Sequence, residues 1–494
     1  MSAPTVSGQV PPAEGASAHD HTPAGNPEAQ FHHDADVKAA DLVHREIIRK
    51  NMESYDVGHM KGRSRFTDWE AAREACQAIK REAINNLDKY LLQFEQNITA
   101  RGGHVFWAAT SEEARKYVSD LAVRHGVKTV VKSKSMVTEE IELSAALEKV
   151  GCVVWETDLG EYIVQLRHEP PYHIVTPAMH LNRTQIAELF RDKLNEPDLP
   201  EDPEKLVAAA RRKLRQAFFA AEMGISGANF LVADVGAVAI STNEGNGRLT
   251  TSLPRVHVAV TGIEKVIPRL EDLATLWPVL ATSGTGQPVT TYGTLVGGPK
   301  RAGEADGPEE FHVVLVDNGR SKLLGHPEER EVLHCIRCGA CLNICPVYRH
   351  IGGHTYGTTY PGPIGSVLTP HLRGPQFEHL SFATSLCGAC TTVCPVKIDL
   401  HHHLLHNRRD FMRAGHGKLS ERMQFKLWRI AMLNPTLYRL GSWVTRKSLR
   451  AIYGLGLSGS VLDPLRAWNR KRSTIPVAKQ SFREQWRNGL GNSK

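Results

Sequence analysis

The chain has 494 residues, of which 41% are hydrophobic, and a net charge of +7 at pH 7. This length suggests two to four domains with substantial cores. Seven of its nine cysteines fall in two tight groups late in the chain, which excludes a small secreted disulfide scaffold and favours metal ligands in a reducing compartment. No stretch approaches the roughly 18 consecutive apolar residues of a spanning helix, and no apolar secretory signal is evident at the start.

The charge is distributed unevenly along the chain. Residues 401–494 carry 19 Lys and Arg but four Asp and Glu, a net charge of +15, which leaves −8 for residues 1–400. A basic segment after an acidic body favours contact with an acidic partner protein, an anionic membrane surface or nucleic acid. We expect a cytoplasmic protein, with peripheral attachment at the inner face of the membrane as one option.

Five segments follow one another along the chain. Residues 1–35 are predicted to be disordered, because they offer too little apolar surface to offset the entropy of ordering. Residues 36–100 show the helical spacing of apolar residues. Over residues 101–325, short strands alternate with helices, which predicts an α/β domain with an open, mostly parallel sheet. The two cysteine groups lie in residues 326–405, and residues 406–494 are predicted to form a basic, helical C-terminal region.

The two cysteine groups are the most specific signal in the sequence. The first is Cys335-x₂-Cys338-x₂-Cys341-x₃-Cys345-Pro, and the second is Cys387-x₂-Cys390-x₃-Cys394-Pro. This spacing is typical of paired iron–sulfur clusters, in which the cysteine before each proline ligates the neighbouring cluster. A zinc ribbon closes with four ligands and does not explain this pattern. Cluster 1 is therefore assigned to Cys335, Cys338, Cys341 and Cys394, and cluster 2 to Cys345, Cys387 and Cys390.

The second group lacks one cysteine, because the position three residues before Cys387 is Thr384. Cluster 1 is predicted to be [4Fe-4S]. Cluster 2 is either [3Fe-4S] or a [4Fe-4S] cluster whose last iron takes water, a side chain or an atom of a partner. The segment between Cys345 and Cys387 has no strand pattern, so this domain resembles the α-helical ferredoxin of succinate dehydrogenase-type subunits.

Six polar residues that follow predicted strands are candidate ligand-binding residues: Lys132, Lys134, Asp158, Glu161, Asn243 and Glu244. Parallel α/β sheets bind ligands outside the carboxyl ends of their strands. There the lysines could hold a carboxylate or phosphate, and the acids could transfer protons or bind a cation. Ordinary polar loops, helix starts and turns explain the same residues equally well. No dinucleotide or P-loop motif is present, so no nicotinamide, flavin or nucleotide site is predicted, and no catalytic residue is assigned.

The sequence as a whole resembles the iron–sulfur B component of the three-protein L-lactate utilization system. Besides both cysteine groups, the resemblance is carried by four motifs: Lys132–Met136, Thr157–Ile163, Pro177–His180 and Thr242–Asn246. It implies a lactate-utilization α/β domain joined to an electron-transfer domain, which oxidises L-lactate to pyruvate together with two sister proteins and allows growth on lactate. The family's cluster ligands correspond to the seven cysteines assigned above, and its pattern also lacks the eighth cysteine.

Three functions remain open at this point. The first is an electron-transfer subunit of an L-lactate-oxidising complex. The second is a stand-alone oxidoreductase whose α/β domain oxidises a small hydroxy acid. The third is a redox-sensing regulator whose basic tail binds nucleic acid, which is disfavoured because no helix-turn-helix or RNA-binding signature is evident.

Overall fold

The structure is a computed structural model that describes residues 25–417, 419–469 and 472–490. Its described residues divide into two units, one that ends at Asp410 and one that begins at Phe411. The first unit contains every strand that the structure describes. In chain order these strands are β1 His104–Ala108, β2 Thr129–Lys132, β3 Val153–Glu156, β4 Met223–Ser226, β5 Phe230–Val232, β6 Ala237–Thr242, β7 Val256–Gly262, β8 Val266–Ile267, β9 Tyr292–Val296 and β10 Glu310–Val316.

Six of these strands form a wholly parallel sheet in the order β1-β10-β7-β4-β2-β3. Both faces of the sheet are covered, as a parallel sheet requires. Successive residues of β2 show this, because Val130 packs into one hydrophobic core and Val131 into another on the opposite face. Every residue of β7 is buried. The prediction of an open, mostly parallel α/β sheet is confirmed.

The helices of the first unit cover this sheet and a second, smaller one. The smaller sheet has the order β8-β5-β6-β9 and mixed strand directions. Up to the sheet's last strand, the helices are α1 Pro27–Ala40, α2 Leu42–Arg63, α3 Trp69–Asn85, α4 Leu87–Thr99, α5 Ser111–Arg124, α6 Met136–Glu140, α7 Leu143–Lys149, α8 Leu159–Leu166, α9 Arg183–Lys193, α10 Pro203–Ala220, α11 Asn246–Ser252 and α12 Leu273–Thr285.

Residues 326–405, all of which the structure describes, contain helices and loops but no strand. This is the all-helical architecture expected of the cysteine-bearing domain. The helices from β10 onward in this unit are α13 Arg320–Leu324, α14 Ala340–Ile344, α15 Tyr348–Ile351, α16 Gly362–Arg373, α17 Ala389–Val393 and α18 Leu400–Arg413.

Residues 27–35 correct the prediction of a disordered N-terminal tail. They form the first turns of α1, and the Asn26 side chain caps this helix by accepting two backbone N–H bonds. Phe31 is buried, with its ring 5.9 Å from that of Tyr356. Composition alone does not reveal this contact, which supplies the apolar burial that the tail otherwise lacks. Residues 1–24 of the predicted tail lie outside the described residues.

The second unit contains α19 Leu419–Leu433, α20 Pro435–Gly454, α21 Arg466–Asn469 and α22 Phe482–Gln485. The two long helices, α19 and α20, pack against each other, yet neither has a fully buried residue. Large side chains such as Trp428 and Trp443 remain about half exposed. Among the described residues, no helix combines the length and the apolar character needed to cross a membrane.

Candidate functional site

The two cysteine loops repeat one backbone design. Each cysteine of the second loop lies 49 positions after its counterpart in the first, so that Cys387 corresponds to Cys338 and Cys394 to Cys345. In the first loop, Arg337 and Gly339 have positive φ angles, and α14 follows; in the second, the residues at the corresponding positions also have positive φ angles, and α17 follows. The helices α14 and α17 pack together, which brings the two loops face to face.

Electrostatic contacts between the thiols link one cysteine loop to the other. Burial raises the pKa of Cys338, and the nearby Cys394 and Cys335 raise it further. Burial likewise raises the pKa of Cys390 to about 11, with contributions from Cys345 and Cys387. Cys394 of the second loop therefore neighbours thiols of the first group, whereas Cys345 of the first loop neighbours thiols of the second.

The position of Thr384 matches that of Cys335 in detail. The Cys335 Sγ accepts a hydrogen bond from the backbone N–H of Arg337 at 3.4 Å. The Thr384 Oγ1 accepts the equivalent bond, from the N–H of Leu386, at 3.0 Å. Because the two side chains make the same local contact, the hydroxyl of Thr384 has the same orientation relative to its loop as the thiol of Cys335.

Buried cations surround the first cysteine loop. Lys80 is 1% exposed and donates to the carbonyl oxygens of Glu264, at 2.6 Å, and Val266. Burial lowers the pKa of Lys80 to about 7 and, with repulsion from Arg337, that of Lys265 to about 8. Positive charge held in a low-dielectric interior is costly unless negative charge lies close by.

These features fit a pair of iron–sulfur clusters. The cysteines form no disulfide, and five of the seven are buried. Thiolates and clusters carry negative charge, which the buried cations beside Cys335 would offset. The Cys394 Sγ accepts a backbone N–H bond from Ile398 at 3.3 Å, and Arg73 of α3 holds the Cys394 carbonyl oxygen. Such bonds orient cluster ligands and tune their potential.

The two loops differ in exposure. Cys338, Cys341 and Cys394 are all buried, whereas Cys387 is exposed. Contacts with the backbone N–H of Ala389 lower the pKa of Cys387 below its usual value. The first group of thiols is therefore enclosed by the protein, and the second reaches the surface.

A cavity of about 640 Å³ lies between the α/β domain and the first cysteine loop. Its walls include residues that follow β2, β3 and β4 at the carboxyl ends of these parallel strands, which is where open α/β sheets bind ligands, and residues that follow β6 of the smaller sheet. Arg337 and Cys338 line the same cavity. A molecule bound there would lie against Cys338, one of the four thiols assigned to cluster 1.

Four of the six candidate ligand-binding residues line this cavity: Lys134, Asp158, Asn243 and Glu244. The Lys134 Nζ donates to the carbonyl oxygen of Val175 at 2.5 Å. Asp158 caps α8, because its Oδ1 accepts the N–H groups of the first turn. Desolvation in the cavity wall and the nearby Asp158 raise the pKa of Glu244.

The other two candidates, Lys132 and Glu161, lie in the protein interior and do not line this cavity. The Lys132 Nζ is 2.8 Å from Glu139 Oε1 and 2.7 Å from Glu156 Oε1. Neither carboxylate oxygen of Glu161 has a hydrogen-bond partner among the described residues. Burial, and after it the nearby Glu156, raises the pKa of Glu161 well above its usual value. Lys132 therefore neutralises buried carboxylates at the carboxyl end of β2 and does not face the cavity.

Sequence reasoning missed two cationic residues of the cavity wall, Lys265 and Arg337. Lys265 belongs to a short turn between β7 and β8, and Arg337 lies inside the first cysteine motif. Only the second carried a usable signal, namely a charged residue between two cluster ligands. The convergence of these two segments on one cavity depends on the tertiary fold.

Three family models match successive parts of the chain. A LUD domain matches residues 91–316, a 4Fe-4S dicluster domain matches residues 331–398, and the C-terminal domain of lactate utilisation protein B matches residues 411–489.

Curated relatives match over most of the chain. It is 43% identical to the lactate utilization protein B of Geobacillus sp. (strain WCH70), over 93% of this chain and 97% of that one. It is 45% identical to the protein of the same name from Bacillus thuringiensis (strain Al Hakam), over 87% and 90%. A solved structure of a DUF162 family protein from Deinococcus radiodurans covers 47% of this chain and 98% of its own, with 14% identity and a TM-score of 0.26.

Proposed function

The chain belongs to the lactate utilization protein B family, and from this premise we propose that it is the iron–sulfur electron-transfer subunit of a complex that oxidises L-lactate to pyruvate. The two sister proteins of the lactate utilization system are its proposed partners. The observation that carries the proposal is the convergence of two cysteine loops with matching backbones, which α14 and α17 bring face to face.

The proposed cofactors follow the two groups of thiols. Cys335, Cys338, Cys341 and Cys394 would hold a [4Fe-4S] cluster, and Cys345, Cys387 and Cys390 a second cluster of the [4Fe-4S] or [3Fe-4S] type. Each cluster, when bound, exchanges one electron, so the pair can accept the two electrons released by one lactate. The protein encloses the first group beside the cavity and exposes the second at Cys387, which favours an electron path from the interior to a partner at the surface.

The first prediction concerns cofactor content and tests the proposed function. Anaerobically purified protein should be brown and contain roughly seven to eight irons per chain, because it carries two clusters. L-Lactate should reduce these clusters when both sister proteins are present, and the chain alone should give no lactate-dependent dye reduction. Stoichiometric zinc without inorganic sulfide would contradict the proposal, as would clusters that lactate fails to reduce in the complete three-protein mixture.

The second prediction concerns the basic C-terminal unit. Residues 401–494, which include this unit, carry a net charge of +15, and the long helices of the unit leave large apolar side chains exposed. We expect this unit to bind an acidic surface, either on a sister protein or on an anionic membrane, with an affinity that falls as salt rises.

Deletion of residues 430–494 tests this expectation in two assays, co-purification with the sister proteins and flotation with anionic liposomes. Loss of binding in either assay, with the iron content kept, identifies the surface. Unchanged behaviour in both assays means that the unit is not a docking element. Neutral liposomes serve as the control for purely apolar binding.

A further inference from the structure

The cavity beside the first cysteine loop contains polar atoms that the protein leaves without partners. The Nη1 of Arg337, the Oδ1 of Asn246 and the Oγ of Ser241 are buried and make no hydrogen bond within the described part of the chain, and all three residues line the cavity. Buried polar atoms in native proteins almost always have partners, so each exception requires an explanation. A polar ligand in the cavity would satisfy these atoms.

The cationic part of the cavity wall indicates the charge of that ligand. Lys265 is 5% exposed and lines the cavity, and Glu264 and Cys335 are the negatively charged groups close to it. Arg337 lies close enough to Lys265 for their charges to repel, and this repulsion adds to burial in lowering the pKa of Lys265. Two cations that face one cavity at close range favour an anion between them.

The two cations differ in how far they are already engaged. One side of the Arg337 guanidinium forms an ion pair with Glu264, in which the Arg337 Nη2 lies 3.3 Å from the Glu264 Oε1. The guanidinium also lies over the ring of Tyr360. Glu264 is in turn bound by Arg320 at 2.6 Å. Although burial alone would raise the pKa of Glu264, Arg320 and Arg337 hold it at about 2. This network fixes Arg337 in place and leaves its Nη1 edge for a ligand.

The wall of the cavity also limits the class of ligand. Apolar side chains, including Ile174, Met179 and Leu280, make up much of the lining next to the polar groups. A planar guanidinium recognises a carboxylate through parallel N–H bonds, and a lysine supplies a point charge to the same group. An organic acid satisfies both the cationic and the apolar parts of the wall.

We propose that this cavity is a binding site for a 2-hydroxy or 2-oxo carboxylate, whose carboxylate group is held by Lys265 and Arg337 beside Cys338. The choice of this class of acid rests on the proposed function. The site places the acid on this chain, next to Cys338, and assigns recognition to Lys265, outside the motifs that carry the family resemblance, and to Arg337 within the first cysteine group.

The test uses the full-length chain, purified anaerobically with its clusters, and titrates it with pyruvate. Pyruvate is chosen because it carries the carboxylate but cannot donate the two electrons of lactate. Binding is measured by calorimetry and, after reduction with dithionite, by the change in the electron paramagnetic resonance spectrum of the clusters. The main variant is Lys265→Met, and the matched control is Lys128→Met, which removes an exposed lysine that does not line the cavity.

We expect pyruvate to bind the wild-type chain and the Lys128→Met control equally, and to bind Lys265→Met about tenfold or more weakly, because a charge-assisted contact is lost. Lys265→Arg should restore most of the affinity. Arg337→Lys should bind pyruvate several-fold more weakly than wild type does, because lysine keeps the positive charge but loses the parallel N–H groups of the guanidinium. If Lys265→Met is purified with less iron than wild type, the pyruvate affinities of Lys265→Arg and Arg337→Lys decide the test instead.

Three outcomes would overturn the proposal. One is equal affinity of wild type and Lys265→Met for pyruvate. Another is competition by inorganic phosphate as strong as that of pyruvate, which would make the site a general anion site. The third is a spectrum that responds to the variants but not to pyruvate, which would mean that the cations only offset cluster charge. In each of these cases, normal iron content and normal reduction by dithionite would leave the proposed electron-transfer function intact.

Discussion

Replacing Cys345 with serine should disturb the cluster held by Cys387 and Cys390 and leave the four-iron signal of the other cluster largely intact. The reason is geometric, because the three-residue spacing before each Cys-Pro carries that thiol away from its own loop. Beyond the effect of burial, Cys387 raises the pKa of Cys345, and Cys345 and Cys387 raise the pKa of Cys390, which places these thiols within electrostatic reach of one another. Electron paramagnetic resonance on the reduced, anaerobic protein measures the outcome.

Cys394→Ser is the reciprocal variant and serves as the matched control. It should disturb the cluster assigned to Cys335, Cys338 and Cys341, because Cys394 neighbours Cys335 and Cys338. Loss of the first cluster's spectrum in Cys345→Ser, with the second cluster unaffected, would show that each cysteine group supplies the ligands of its own cluster alone. The crossed assignment would then be wrong.

Thr384→Cys extends the same test to the position without a cysteine. Its hydroxyl makes the same backbone contact as the thiol of Cys335, so a thiol placed there should face the second cluster. We expect the variant to convert a three-iron centre to a four-iron centre, or to close an open iron. An unchanged spectrum with full iron content would mean that the side chain points away from the cluster.

The features that the sequence predicted well are those set by local pattern. The alternation of short strands with helices predicted the parallel sheet, and in it consecutive apolar residues such as Val130 and Val131 are buried on different faces. The spacing of the cysteines predicted two loops, and these have matching backbones around Gly339 and Gly388. Such signals survive without knowledge of the tertiary fold because each is contained in a few consecutive residues.

The features that the sequence did not predict depend on segments far apart in the chain. Lys265 and Arg337 share one cavity wall because β7 and the first cysteine loop meet in space. Phe31 orders the start of α1 through contact with Tyr356, more than 300 positions later. Lys132 has the same charge whether it faces a ligand or a buried carboxylate, and only the fold distinguishes these environments.

Of the single substitutions that we propose, Lys132→Met should destabilise the α/β domain most. The Lys132 side chain is fully buried, and its ammonium contacts both Glu139 and Glu156. Although burial alone would lower the pKa of Lys132, these two glutamates raise it, so the lysine stays charged. Its loss removes a positive charge from a group of buried carboxylates, and breaking a buried pair in this way costs about 3–5 kcal/mol. For a domain of this size, that cost corresponds to a fall of on the order of 10 °C in the unfolding midpoint.

Circular dichroism on the anaerobic, cluster-loaded protein measures the midpoint, with Lys128→Met as the matched control. Lys128 lies just before the same strand and is exposed, so its loss should change stability by no more than about 0.5 kcal/mol. Adding Glu139→Gln and Glu156→Gln to Lys132→Met should recover part of the lost stability, because the uncompensated charges are then removed while side-chain volume is kept. If Lys132→Met unfolds at the wild-type temperature, or if the glutamine substitutions recover nothing, the buried charge network does not stabilise the sheet edge, and Lys132 is once more a candidate for ligand binding.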